Sequence, residues 1–166
     1  MALDDPRVVL YIEAYEDHKN TYIVMDHLDG VTLRSKIASE PHGKLNEKLA
    51  ATYLRQLLKA IAHCHAREIV HRKINPDNVI LLDEGNQLRL TGFVTFPTKK
   101  DVTRRETLQY IAPEVMSAST YDGSADLWSL GAILYTLVSG LVPFQGATTS
   151  EVYDESRNGN YSFRSS

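Results

Sequence analysis

The chain has 166 residues, of which 43% are hydrophobic and 23% charged, and its formal net charge is −3. This length suits one domain with a buried core. The slightly acidic balance argues against nucleic acid and anionic membrane surfaces as partners, because both attract basic proteins. The single cysteine, Cys64, excludes an intrachain disulfide and predicts a reducing intracellular compartment, either the cytoplasm or an organellar complex.

The first part of the chain predicts a β-hairpin. Residues 1–6 have neither the basic start nor the apolar centre of a signal peptide. Residues 7–16 and 21–26 have the pattern of strands, and the polar residues 17–20 between them are typical of a turn. A lone hairpin is marginally stable and has unpaired edges, so we expect either a partner strand beside it or poor order.

Two helices are predicted next, a short one over 32–38 and a long one that Asn46 caps. His63, Cys64 and His65, near the end of the long helix, are the only group that suggests a metal ion. Residues two positions apart do not share a helix face, and no second pair of ligands has a suitable spacing. We therefore predict an ordinary helix end and no metal site.

Residues 79–82 and 87–90 predict a second hairpin, and a polar, variable segment follows over 95–105. A short helix is predicted near the end of the chain, over 150–157.

The run 127–144 holds 18 residues without a charge, which is the length of a candidate membrane span. Ser139 and Gly140, followed by Pro143, indicate a helix stop within it. A helix over 125–138 would be ~21 Å long, shorter than the ~30 Å hydrocarbon core. We therefore predict a buried central helix of a soluble protein and no membrane span.

Four motifs between residues 71 and 131 resemble those of protein kinases and stand in the family's order. They are His71-Arg72-Lys73 with Asn78 (the H-R-D-L-x-x-x-N catalytic loop), Gly92-Phe93-Val94 (D-F-G), Ala112-Pro113-Glu114 (A-P-E) and residues 126–131, which are similar to the start of the central helix. The sequence is thus identified as a member of the protein kinase family, of the Ser/Thr type, and it resembles the calcium/calmodulin-dependent group in particular.

The resemblance implies an α+β, mainly α fold: a kinase C-terminal (large) lobe with a residual N-lobe β-hairpin, incomplete at both ends. Residues 1–30 would be the hairpin and hinge, and 31–166 the C-lobe, of one truncated kinase-like domain. Met25 would be the gatekeeper, and Asp26 and Leu28 would lie in the hinge. The family's Gly-rich loop and V-A-I-K lysine do not occur in this sequence.

The resemblance also shows where the chemistry departs from the family. Phosphoryl transfer uses one Asp to orient the substrate hydroxyl, and a second Asp and an Asn to hold Mg²⁺. Lys73 replaces the first Asp and Gly92 the second, so Asn78 is the only motif ligand left. Asn75 replaces a lysine that Ser/Thr kinases usually have. From these changes we expect no enzyme activity, no bound ATP or Mg²⁺ and no cofactor.

The retained residues have structural roles in the family. Asp126 would accept backbone N–H bonds from His71 and Arg72. His71 and Phe93 would stack below Tyr11 in the regulatory spine.

Three other positions carry further expectations from the resemblance. Ile80 would belong to the catalytic spine, with Ile133 and Leu137. Glu114 would lose its usual arginine partner and find Arg157 or Arg164, solvent, or another subunit. Thr103 is a candidate phosphosite that Arg72 could bind, although an ordinary exposed threonine is the preferred interpretation.

Three functional hypotheses follow. The first is a catalytically inactive kinase-like (pseudokinase) domain that acts as a scaffold or structural subunit, and binds other protein subunits through the hairpin edge and the exposed C-lobe surface. The second is a fragment of a longer Ser/Thr protein kinase or pseudokinase that binds ATP and phosphorylates proteins. The third is an active kinase with an unusual set of catalytic residues.

Overall fold

A computed structural model describes residues 3–82, 87–93, 105–117 and 122–163. In these ranges the elements are, in chain order, β1 (Tyr11–Glu16), β2 (Thr21–Met25), β3 (Val31–Thr32), α1 (Leu33–Ser39), α2 (Glu47–His65), β4 (Val79–Leu82), β5 (Gln87–Leu90), α3 (Arg105–Leu108), α4 (Pro113–Ser117), α5 (Ser124–Ser139) and α6 (Thr149–Asn158). Short 3₁₀ turns occur at Pro41–Gly43 and Pro76–Asn78. The fold is α+β and mainly α, as predicted.

The core forms where α2 packs against α5. Helix α2 begins at Glu47 because Oδ1 of Asn46 accepts a hydrogen bond of 2.9 Å from the Leu49 N–H. Its buried positions recur at three- and four-residue spacings and are Ala50, Tyr53, Leu57, Ala60, Ile61 and Cys64. Helix α5 contributes Ile133 and Leu137, both fully buried, so the predicted buried central helix is confirmed.

Helix α5 ends at Gly140, which adopts the left-handed conformation with φ of 76°. A Cβ there would lie 2.7 Å from the carbonyl oxygen of His42, so only glycine allows this close approach. In the described part of the chain, no helix is both long and apolar enough to cross a bilayer.

A three-stranded antiparallel sheet, in the order β3-β4-β5, covers one side of this core. The predicted hairpin of β4 and β5 is confirmed, with Val79 opposite Leu90; its turn, residues 83–86, lies outside the described residues. The sequence pattern did not predict β3, because two residues are too few to show an alternation. Thr32 of β3 also caps α1, since its Oγ1 accepts a hydrogen bond of 3.0 Å from the Ser35 N–H.

Strands β1 and β2 form a separate antiparallel hairpin, with Tyr11 opposite Met25. Oδ1 of Asp17 fixes the turn by accepting the N–H groups of Lys19 and Asn20, each at 2.7 Å. The predicted start of the first strand at residue 7 is wrong. Val8 forms a bridge to Leu90 in the other sheet, and burial of Val8 and Val9 holds residues 7–9 there.

The burial of α5 generates a stability prediction. Leu137→Ala, at a fully buried position, is expected to lower the free energy of unfolding by about 2–5 kcal/mol. Leu127→Ala is the matched control, because Leu127 lies on the same helix and is 52% exposed. It should change stability by less than ~0.5 kcal/mol in urea-unfolding curves. Equal losses from both variants would contradict this placement of α5.

Candidate kinase catalytic loop

Asp126 anchors the loop that follows α2. It is fully buried in the first turn of α5. Its Oδ2 accepts the His71 N–H at 2.8 Å, and its Oδ1 accepts the Arg72 N–H at 2.8 Å. A third bond of 2.8 Å joins Oδ2 to Nε2 of His65, at the end of α2. One carboxylate therefore connects α5, α2 and the loop.

Sequence reasoning missed the His65–Asp126 contact. The two residues are 61 positions apart, so no local spacing could have indicated the pairing. The His65–Asp126 contact also concerns His63, Cys64 and His65, the group that had suggested a metal ion. Cys64 is buried, and burial raises the pKa of its thiol to about 11. His63 lies beside Asp5 and Arg67 instead, so the three side chains diverge.

His71 is held as a neutral imidazole. Its Nε2–H donates to the Thr91 carbonyl at 2.9 Å, while its Nδ1 accepts the Lys73 N–H at 3.2 Å. Burial lowers the pKa of His71 below its ordinary value of 6.5, against the opposing effect of the Asp126 carboxylate. The ring therefore acts as a structural bridge from the loop to the segment after β5.

Three aromatic rings continue this bridge to the hairpin. The His71 and Phe93 ring centroids are 4.2 Å apart, and those of Phe93 and Tyr11 are 5.9 Å apart, edge to face. The Tyr11 hydroxyl also accepts the Phe93 N–H at 3.1 Å. Burial raises the pKa of Tyr11. The structure thus places these side chains in one stack from β1 to the loop.

The end of the loop is shaped by two asparagines. Oδ1 of Asn75 accepts the Asp77 N–H at 2.9 Å and the Asn78 N–H at 3.3 Å, and so caps the 3₁₀ turn. Nδ2 of Asn78 donates to the Lys73 carbonyl at 2.8 Å. Arg72 has a positive φ of 69°, which is uncommon for a residue with a side chain. The hydrogen bonds of Asp126 and of the asparagines hold the loop in this conformation.

Gly92 lies against Asn78. Its φ is 81°, and a Cβ at this position would be 2.5 Å from Cγ of Asn78. An aspartate therefore does not fit at Gly92 unless Asn78 moves. Of Lys73, Asn78 and Gly92, only Asn78 has a side-chain oxygen suited to Mg²⁺, and one amide oxygen does not complete such a site.

The residues assigned to the gatekeeper and hinge lie at the end of β2 and just after it, whereas the spine residue Ile80 lies in β4. Met25 ends β2 and is 40% exposed. The Asp26 N–H donates to the Leu10 carbonyl at 3.0 Å, and Leu28 is half-buried. Ile80 is half-buried in β4, opposite Thr32.

Glu114 is half-buried in α4. In the described ranges it forms no ion pair, and Arg157 on α6 is exposed. Its other expected partner, Arg164, lies outside those ranges, as do Val94 and Thr103. Solvation of Glu114, or a contact with another subunit, stays a prediction.

The comparisons agree with this geometry. The profile of the protein kinase domain matches residues 1–165. CBL-interacting protein kinase 15 of Oryza sativa subsp. japonica is 36% identical over 162 residues, which are 93% of this chain and 37% of that protein. CBL-interacting serine/threonine-protein kinase 15 of Arabidopsis thaliana is 36% identical over 160 residues, 91% of this chain and 37% of that protein. Mitosis inducer protein kinase cdr1 of Schizosaccharomyces pombe is 33% identical over 169 residues, 99% of this chain and 28% of that protein.

An α+β lobe whose central helix anchors a His-Arg loop is the architecture of a protein kinase large lobe. The chain belongs to the protein kinase family. It spans between 28% and 37% of the length of these three relatives.

Two predictions are wrong in the light of these relatives: that the chain is not an enzyme and that it has no cofactor. The relatives are named protein kinases, and enzymes of that class use ATP together with Mg²⁺. Both predictions had been based on the replacements at Lys73, Asn75 and Gly92 and on the missing Gly-rich loop and V-A-I-K lysine. The corrected assignment is to a family of ATP- and Mg²⁺-dependent enzymes.

The neutral state of His71 predicts a pH dependence of stability. In the unfolded chain His71 takes up a proton below about pH 6.5, whereas the buried ring resists protonation. The free energy of unfolding should therefore be fully retained above pH ~6.5 and fall as the pH is lowered below it. His71→Phe should be less stable at neutral pH and should show a shallower decline, measured by urea unfolding.

His18→Gln is the control for the other histidines, because His18 is exposed in the turn between β1 and β2. It should keep the decline of the unaltered protein. An undiminished decline in His71→Phe would contradict the assignment.

The Asp126 network predicts a graded loss of stability. Asp126→Ala leaves the buried N–H of His71 without an acceptor, at a cost of about 1–3 kcal/mol, and the partly buried N–H of Arg72 as well, at a smaller cost. Asp126→Asn keeps one acceptor oxygen and should lose less in the same unfolding measurement. Similar losses for the two variants would show that the hydrogen bonds do not carry the effect.

Proposed function

We propose that this chain is a segment of a longer Ser/Thr protein kinase, in which it supplies the large lobe on which the protein binds ATP and phosphorylates protein side chains. The observation that carries the proposal is the Asp126 network, in which a buried carboxylate positions the backbone of His71 and Arg72. Residues 1–30 would be the small-lobe hairpin and hinge of this domain, and 31–166 the large lobe.

The chemistry of the loop sets limits on this activity. Bound ATP with Mg²⁺ would supply the transferred phosphoryl group and charge neutralisation. The described side chains of the loop do not complete a Mg²⁺ site, so its remaining ligands would come from phosphates, water or the rest of the protein. The Lys73 ammonium carries N–H donors and no lone pair, so it does not take the proton of a substrate hydroxyl as a carboxylate does. A slow transfer is therefore expected.

A second candidate function is that of a scaffold in a larger assembly. It is favoured by exposed apolar side chains on the hairpin, where Ile12 is 59% and Ile23 48% exposed. An apolar cavity of about 490 Å³ between α5 and residues 159–163 adds a second such surface. The CBL-interacting relatives are named for a protein partner, which supports a protein partner here too. The free, buried Cys64 is compatible with the proposed reducing intracellular compartment.

The test is transfer of radiolabelled phosphate from ATP to a Ser/Thr protein substrate by the full-length protein, with Mg²⁺ or Mn²⁺. We expect slow incorporation above that of a mock preparation. Lys73→Asp restores the carboxylate of the family and should raise the rate by roughly 10²-fold or more. Adding Gly92→Asp should help only where Asn78 can move away, given the 2.5 Å approach.

Lys59→Asp is the matched control, because it makes the same charge change at an exposed position of α2. It should leave the rate unchanged. No incorporation by the unaltered protein, together with a stable complex with another protein, would favour the scaffold instead.

A further inference from the structure

The buried carboxylate of Asp126 has a hydrogen-bond donor that lies outside the loop. Oδ2 of Asp126 is bonded to the His71 N–H and to Nε2 of His65, each at 2.8 Å, while Oδ1 accepts the Arg72 N–H at 2.8 Å. An ionised carboxylate can only accept hydrogen bonds, so Nε2 of His65 carries a proton and donates it. From the end of α2, His65 therefore fixes how the carboxylate is turned.

The residue that precedes α5 leaves room for the His65 ring. A Cβ on Gly123 would lie 2.7 Å from Cε1 and 2.9 Å from Nδ1 of His65, which is closer than packed atoms approach. The φ of Gly123 is −63°, in the right-handed helical region that alanine also adopts. Glycine is therefore required at this position for the space that it leaves, and not for its backbone conformation.

The conformation of the loop depends on the orientation of the carboxylate. Arg72 has a positive φ of 69°, which a residue with a side chain rarely adopts, and its N–H bond to Asp126 helps to hold it there. Lys73 follows directly, and its carbonyl accepts Nδ2–H of Asn78 at 2.8 Å. A turn of the carboxylate would lengthen the bond to Arg72 and release the residue that places Lys73.

We propose that His65 is a positioning residue for phosphoryl transfer: its Nε2–H holds the Asp126 carboxylate in the orientation that keeps Arg72 and Lys73 in place. This rests on the proposed function, in which the loop faces the substrate hydroxyl. His65 acts through Asp126 and not on the substrate itself. A misplacement of about 1 Å in groups that orient a substrate can cost roughly 10²-fold in rate.

His65 could instead serve only to fill space at the end of α2. Gly123→Ala would then be neutral or stabilising, because alanine at a compatible backbone conformation restricts the unfolded chain. Under the proposal the same variant pushes the His65 ring away from Asp126 and loosens the loop. The two roles therefore predict opposite effects of Gly123→Ala.

The first measurement is hydrogen exchange by mass spectrometry on the full-length protein, compared between residues 70–74 and residues 50–61 of α2. His65→Leu removes the donor and should raise exchange over 70–74 roughly tenfold or more, with a smaller change over 50–61. His65→Gln can still donate an N–H to Asp126 and should recover part of the protection. Gly123→Ala should raise exchange over 70–74 although His65 itself is unaltered.

Leu57→Ala is the matched control for a general loss of stability. Leu57 is fully buried on α2, eight residues before His65, so its truncation leaves a cavity and keeps the donor to Asp126. It should raise exchange over 50–61 at least as much as over 70–74. This pattern is the reverse of the one expected from His65→Leu.

The second measurement is the kinetics of phosphate transfer from ATP to a peptide with one Ser acceptor. His65→Leu and Gly123→Ala should lower kcat roughly tenfold and change KM for the peptide less than about twofold, because the loop is misplaced while the peptide contacts remain. His65→Gln should give an intermediate kcat. Leu57→Ala should keep the kcat of the unaltered protein at a temperature where the variant is folded.

Four results would overturn the proposal. They are unchanged exchange over 70–74 in His65→Leu, a neutral or stabilising Gly123→Ala, the same exchange pattern from Leu57→Ala as from His65→Leu, and loss of protection without a change in kcat. The exchange measurement does not require activity. Absence of transfer by the unaltered protein, with the expected exchange pattern, would therefore contradict only the proposed function.

Discussion

The structure depends on a buried carboxylate. Asp126 lies in a core where an ionised group without partners would be strongly unfavourable, and it is compensated by two backbone N–H groups and by His65. The hydrogen bonds that compensate the buried carboxylate also stabilise the loop. Arg72 adopts a positive φ, and the hydrogen bond to its N–H helps to hold that backbone conformation. The helix core and the loop conformation therefore stabilise each other.

The same loop determines where the N-terminal hairpin lies. Strands β1 and β2 share no ladder with the three-stranded sheet, and most of their side chains are exposed. The Tyr11–Phe93–His71 stack joins β1 to the loop. The bridge of Val8 to Leu90, with hydrogen bonds between Leu90 and residues 7 and 9, joins the preceding residues to β5. A neutral His71 suits this role, because burial disfavours a charged imidazole more than the Asp126 carboxylate and the Thr91 carbonyl favour it.

Much of the fold could be predicted from the sequence where local patterns are strong. Asn46 marked the start of α2, and Gly140 with Pro143 marked the end of α5, because caps and stops are local signals. The departure of residues 7–9 into the other sheet could not be predicted, since the decisive partner, Leu90, is distant in sequence. For the same reason the contacts His65–Asp126 and Arg34–Asp77 could not be predicted from the spacing of residues in the sequence. The motifs identified the loop, but the replacements at Lys73, Asn75 and Gly92 and the missing Gly-rich loop and V-A-I-K lysine did not establish that a member of this family is not an enzyme.

The geometry shows why Lys73 and Gly92 should be considered together. Asn78 donates to the Lys73 carbonyl and fills the space that a side chain at Gly92 would need. A side chain at Gly92 would displace the Asn78 amide and so break its bond to the backbone of residue 73. The loop conformation, the placement of Asn78 and the missing side chain at Gly92 are thus one coupled arrangement. Its chemistry follows from how the loop is packed, and not from each replaced residue taken separately.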